Sequence, residues 1–143
     1  MAYVMNQSGV IAIQKGRLCM VTSRSGRRWV FPKGLIEPGH TPGEAALIEA
    51  WEEAGLVGTL DPEPAGSYIY EKDGTTFHVL LFMMRVSEIR DVWPERGFRE
   101  REWVTVFDAI ERVDEPSLRE LIKRLFNIDH GSPRPYASAL RLT

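Results

Sequence analysis

The amino-acid sequence predicts an α/β fold, a mixed β-sheet covered by helices on both faces as a three-layer α/β/α sandwich. Three observations lead there. Strand-like apolar runs stand both before and after one strongly bounded helix. That helix, inside the stretch from Gly34 to Leu56, carries both a start and a stop signal. An amphipathic segment from Glu115 to Phe126 then closes the pattern.

Between Ser8 and Ser23 the runs GVIAI and LCMVT are split by Gln14-Lys15-Gly16-Arg17, a β-hairpin signal. A basic loop, Ser23 to Arg28, leads into Trp29-Val30-Phe31 as a short strand, and Pro32-Lys33-Gly34 reads as a turn. Thr41 then suits an N-cap, Pro42 the first helical position, Glu44 the capping box and Gly55 the stop. Leu47, Ala50, Trp51 and Ala54 share one side of the helix and form its expected buried face. Glu49, Glu52 and Glu53 fall on the other side, facing outward or into a cleft.

Breakers fill residues 58–66 (GTLDPEPAG), which read as a loop. Strands are expected at 67–71 and 75–86, joined through Asp73-Gly74, where both residues tolerate positive φ. The second is densely apolar and so central in the sheet; His78 within it reads as a core or strand-face histidine, with a pocket position as the alternative. Residues 87–101 are charged and interrupted by Pro94 and Gly97, a long loop in which Trp93 and Phe98 either pin the segment or stack on a base. A strand at 102–106, a helical turn capped by Asp108 and the closing helix, burying Leu118, Leu121, Ile122 and Leu125, complete a single domain over 1–128. Residues 129–143 read as a loose tail.

With 43% hydrophobic and 27% charged residues and a net charge of −2, the composition is that of a soluble globular chain. That balance disfavours nucleic acid as a partner. The single Cys19 excludes an internal disulfide framework and suits a reducing compartment. No apolar run reaches the length of a membrane span, and MAYVMNQSG lacks the pattern of a secretory leader. The expectation is a cytoplasmic chain with no membrane partner; a homodimer stays open.

The chemistry concentrates on the central helix. Like charges at this spacing cost a few tenths of a kcal/mol per pair, and Glu52 and Glu53 face the helix's negative end. Mg2+ or Mn2+, which take oxygen ligands and bridge carboxylates to phosphates, would relieve that repulsion. A solvated acidic face is the plain alternative. Just upstream lie Arg24, Arg27, Arg28 and Lys33, whose charges suit phosphate oxygens; Arg24 and Arg28 are the best candidates. Arg96, Arg99 and Arg101 form a candidate second basic patch, and Glu95, Glu100 or Glu102 a candidate carboxylate from outside the helix.

The loop and helix resemble the Nudix box, a Gly, five residues, a Glu, seven residues, then Arg-Glu-apolar-any-Glu-Glu-any-Gly-apolar. Gly34, Glu49, Ala50, Glu52, Glu53, Gly55 and Leu56 match, while His40 stands at the first Glu and Ile48 at the Arg. Arg28-Trp29-Val30-Phe31-Pro32, the stretch 52–60, and Arg101-Glu102-Trp103-Val104 through Asp108-Ala109-Ile110 are similar to the diphosphoinositol polyphosphate phosphohydrolases. Pro32-Lys33-Gly34 instead resembles the diadenosine-polyphosphate hydrolases.

The resemblance implies a Nudix-type α/β/α sandwich with a mixed β-sheet. It also implies hydrolysis of a phosphoanhydride in a small phosphorylated substrate, with Mg2+ or Mn2+ as cofactor. Glu49 and Glu53 would hold the cation directly, with Glu52 on a second ion or a water and the backbone carbonyl of Lys33 completing the shell. The general base lies open between Glu52 and Glu53. Arg24, Arg28, Lys33, His40, Arg99 and Arg101 are the expected substrate-binding residues. In the family the box Arg braces the glutamates, which Ile48 cannot do; a neighbouring basic residue is one substitute. A catalytically weak module sensing a nucleotide or polyphosphate is the second reading, and an RNA 5′-end pyrophosphohydrolase, weakened by the net charge, the third.

Overall fold

A computed structural model describes residues 3–128 of the 143. The expected tail at 129–143 lies outside the described residues. Eight strands and three helices follow in the order β1 (Tyr3–Gln14), β2 (Arg17–Thr22), β3 (Trp29–Val30), β4 (Lys33–Leu35), α1 (Pro42–Ala54), β5 (Leu56–Leu60), β6 (Gly66–Lys72), β7 (Thr75–Ile89), β8 (Arg101–Val104), α2 (Val106–Arg112) and α3 (Pro116–Leu125). The strands form one mixed sheet of order β3-β2-β1-β7-β5, with β4 on β1, β6 on β7 and β8 on β2. At its centre β1 and β7 run parallel, in register from Tyr3 against Thr75 to Ile13 against Arg85. Every other neighbour pair is antiparallel.

The pleat sorts the core into two layers, because successive side chains of a strand point to opposite faces. From β1 and β2, Val10, Ala12, Cys19 and Val21 pack with Ala46, Ala50 and Ala54 of α1. Ile11, Ile13, Leu18 and Met20 pack on the other face with Ala109, Leu118, Leu121, Ile122 and Phe126. Helices therefore cover both faces, as the sequence predicts. Small residues at 46, 50 and 54 let α1 lie close against the sheet. Among the described residues no helix is long and apolar enough to cross a membrane, which says nothing of β-barrels.

Both hairpin turns carry positive φ at both central residues, Lys15 and Gly16 at 51° and 75°, Asp73 and Gly74 at 51° and 78°. That twist matches paired strands. Other elements differ from expectation. Lys33 and Gly34 are not in a turn: β4 pairs with β1 through Gly9 against Lys33 and Ser8 against Gly34. Proline lacks only a donor, and Pro32 still offers its carbonyl to the Val10 N–H at 3.0 Å. Gly58, Thr59 and Leu60 extend β5 against β7, so the loop begins only at Asp61. Strand β7 continues to Ile89, while β8 is earlier and shorter than expected. The cap of α2 is Thr105, whose hydroxyl accepts the Asp108 N–H at 3.1 Å, so Asp108 is the capped residue and not the cap.

Candidate metal and phosphate site

Helix α1 forms as its termini dictate. Thr41 and Glu44 make a reciprocal capping box, with the Thr41 N–H on Glu44 at 2.8 Å and the Glu44 N–H on Thr41 at 3.1 Å. Gly55 ends the helix in the left-handed conformation, φ 67°. Its buried face is rotated from the expected one. Trp51 is 36% exposed, whereas Glu53 is only 6% exposed. The alanines set that rotation, because the wall they form at 45, 46, 50 and 54 packs closer than a wall carrying Trp51 would. Glu53 is thus carried into the protein rather than outward.

No basic residue occupies the last turn of α1. The carbonyls that a helix end leaves unpaired are instead met by the segment after β7. The Glu95 N–H donates to Glu52 O at 2.9 Å, Trp93 Nε1 to Glu53 O at 2.9 Å, Arg101 Nη1 to Ala54 O at 2.7 Å and the Arg90 N–H to Gly55 O at 2.9 Å. The Arg101 guanidinium also lies 4.2 Å from the Trp93 ring centroid. Of the two readings of Trp93, pinning the loop is what the structure shows.

Around this end the carboxylates gather. One oxygen of Glu53 accepts the Lys33 N–H at 3.1 Å, the other Arg99 Nη2 at 3.2 Å. Lys33 is extended, and in an antiparallel ladder the N–H and C=O of one residue project to the same side. Its carbonyl therefore shares the side that faces Glu53. The carboxyl group of Glu49 occupies the space where a side chain on Gly34 would begin. Burial first, then the charges of Glu53 and Glu52, push the Glu49 carboxyl up to about 8. Burial also raises Glu53, opposed by Arg99 and by the Lys33 N–H.

Carboxylates packed this closely repel one another, and a hard divalent cation, which prefers charged oxygen ligands, would relieve that repulsion. The donor set fits Mg2+ or Mn2+. Among the described residues no group of three or more His, Cys, Asp or Glu side chains is gathered as a metal site; Glu49 and Glu53 are the two carboxylates beside Gly34 and the Lys33 backbone.

The basic candidates separate. Lys33 Nζ sits 4.8 Å from the Tyr70 ring centroid, and burial holds its pKa down, partly offset by Glu53 and Glu115. Arg28 pairs with Glu115 at 3.3 Å and stays 40% exposed. Arg24 lies over Phe98 at 5.1 Å. Arg99 and Arg101 do not form an open basic patch, since Arg99 is 8% exposed and both are spent on internal acceptors. His40 is exposed in the turn before α1, where its charge reaches Glu44. Glu44 lies nine residues before Glu53, about 13 Å along the helix. His40 therefore sits at the N-terminal end of α1 and Glu53 near the other. Glu95 joins the carboxylates from outside the helix, acting on both Glu49 and Glu53. His78 lines a 420 Å³ recess with Asn6, Gln7, Ile36, Pro42 and Leu80.

Known proteins resemble this chain along most of its length. The NUDIX domain family model matches residues 2–125. Nudix hydrolase 12, mitochondrial, of Arabidopsis thaliana is 38% identical over 112 residues, 73% of this chain and 55% of that protein. Diphosphoinositol polyphosphate phosphohydrolase 2 of Rattus norvegicus is 33% identical over 112 residues, 76% of this chain and 61% of its own length. The chain thus spans little more than half the length of these curated relatives. The crystal structure of the C. elegans Ap4A hydrolase superposes with a TM-score of 0.70 at 20% identity, covering 85% of this chain and 95% of that one. That of a MutT protein from Methanosarcina mazei Go1 gives 0.71 at 20% identity, covering 86% and 93%. A capped helix bearing the box glutamates, seated on a mixed sheet, and a family match along nearly the whole described chain together place this protein in the NUDIX domain family.

Proposed function

We propose that this chain is a divalent-metal-dependent hydrolase of phosphoanhydride bonds. Its substrate would be a small polyphosphorylated or nucleoside diphosphate-linked molecule, of the diphosphoinositol polyphosphate or diadenosine polyphosphate type. One observation carries the reading, the convergence of Glu49 and Glu53 on Gly34 and Lys33 at a buried helix end, where Glu49 is held near neutral pKa. Glu49 and Glu53 would hold Mg2+ or Mn2+ with the Lys33 carbonyl, and Glu52, half-buried one residue away, would hold a second ion or a water. When bound, such a cation lowers the pKa of water and stabilises charge on phosphate oxygens.

The chain's own residues do the positioning that dominates phosphoryl-transfer catalysis. Arg28, paired with Glu115, and Lys33, whose charge is felt by both Glu53 and Arg28, would orient the phosphate chain. Arg24, held over Phe98 nearby, would add a third cation. The recess beside Ile36 offers room for the group beyond the phosphates. Glu52 and Glu53 are the residues to test as general base.

The test is hydrolysis of diadenosine polyphosphates, diphosphoinositol polyphosphates, dinucleotide sugars and triphosphorylated RNA, with the phosphorylated products separated and identified, each with Mg2+ and with Mn2+. Turnover of one class names the substrate. Tight metal-dependent binding without product would favour the sensor reading, and absence of both would overturn the proposal.

A further inference from the structure

We propose that Arg99, delivered from the segment between β7 and β8, positions Glu53 for its cation, a task that α1 cannot perform for itself. The inference rests on the metal-dependent reading above. Position 48 is the helix residue whose side chain would have to reach the glutamates, but it is Ile48, 36% exposed. On the helical wheel it lies on a different side from Glu53, about 140° away at 100° per residue. A cation that braces Glu53 has to come from outside the helix.

Arg99 meets the geometric demands. Its side chain is 7% exposed and that of Glu53 8%, so their 3.2 Å pair is shielded from water and salt. Its planar fork uses three donors on three segments. Nη2 donates to Glu53 Oε2, Nη1 to the Thr22 carbonyl at the end of β2 at 2.8 Å, and Nε to Glu95 Oε1 at 2.7 Å. Thr22 is itself locked to the neighbouring residue, its N–H on Glu100 O at 3.1 Å and its hydroxyl accepting the Glu100 N–H at 3.0 Å. Among the described residues no buried side-chain nitrogen or oxygen lacks a partner, so the network is complete. With Lys33 N–H fixing the other oxygen, the Glu53 carboxylate has one orientation, and each oxygen retains a lone pair for a cation. Glu95 in turn holds Arg99 through the Nε bond, fixing the fork from its other edge.

Mn2+ binding to the metal-free protein, read from the loss of the free-ion EPR signal, separates this role from simple stabilisation. The proteins compared are wild type, Arg99→Met, Arg99→Lys and Glu95→Gln, each with its melting temperature and, on the substrate identified above, kcat and KM. Loss of a residue that orients a ligand typically weakens metal binding 10- to 100-fold. Arg99→Met is expected in that range, with kcat falling more than KM rises. Arg99→Lys, which keeps the charge but not the fork, is expected between it and wild type, and Glu95→Gln about tenfold weak or less. If Arg99→Met does not fold, the other two variants decide on the same readings. Unchanged Mn2+ affinity in folded variants overturns the proposal, as does tighter binding, which would make Arg99 a competitor of the cation. A wild-type protein that binds Mn2+ yet turns over no substrate removes the hydrolase reading alone and leaves the Mn2+ comparison valid.

Discussion

The Glu49 carboxyl group fills the place that a Cβ on Gly34 would take; that Cβ would lie 2.7 Å from Glu49 Oε2 and nearer still to Cδ. The glycine of the box is therefore a matter of space. Gly34 sits in a strand and needs no left-handed backbone, but any side chain there evicts a carboxylate.

Gly34→Ala is accordingly expected to keep the fold and lose the site. Pushing one ligand off a metal seat costs on the order of 100-fold or more in turnover, by the sensitivity of catalysis to displacements of about 1 Å. Circular dichroism and Mn2+ titration of the variant check this. A variant with wild-type metal affinity would show that Glu49 is not a ligand.

The C-terminal carbonyls of α1 make a second prediction. Arg101→Ala removes the donor to Ala54 O and a positive charge at the helix's negative end, a change worth about 1–2 kcal/mol. Urea unfolding should show that loss. Hydrogen exchange should quicken most at residues 52–55, where the loop caps the helix.

Glu49 predicts how pH acts on the metal-free protein. Its carboxyl is raised from 4.5 to about 8, so between those values the folded chain holds a proton that the unfolded chain has released. Stability contributed by this group is therefore lost as pH rises through that window. Glu49→Gln removes the penalty, and its metal-free form should melt above wild type at pH 8 with little difference at pH 4.5. Protons and cations compete for the same oxygens, so the melting-temperature gain from Mg2+ in wild type should be larger at pH 8 than at pH 6. A Mg2+ gain independent of pH would contradict this assignment of the seat.

Cys19 of β2 is fully buried in the layer between the sheet and α1, and burial pushes its thiol up to about 12. Only the thiolate reacts, so native protein at pH 8 should resist alkylating reagents. The labelling rate should match the unfolding rate in urea.

Local signals explain which parts were legible in the sequence. Thr41, Pro42, Glu44 and Gly55 act within a few residues, and helix α1 begins and ends where they place it. Asp73-Gly74 likewise sets the β6–β7 hairpin by its own backbone preferences. What depended on distant partners was not legible. Strand β4 exists because β1 offers it a free edge, which the Pro-Lys-Gly sequence does not reveal. Trp51 and Glu53 exchange exposure because the sheet selects the alanine face of the helix. Arg99 and Arg101 looked like a surface patch among charged neighbours, yet each is folded back onto α1 across more than forty residues. Only the carboxylates of 95, 100 and 102 hinted at that contact, and of these Glu95 is the one brought to the cluster.

In the function proposed here, Glu49 and Glu53 hold a cation that is needed for phosphoanhydride hydrolysis. Turnover and Mn2+ binding are to be measured side by side for wild type and Glu53→Gln, using the substrate that turns over fastest. The variant is expected to lose both together while remaining folded. Full turnover by Glu53→Gln, or turnover by wild type undiminished in EDTA, would contradict it.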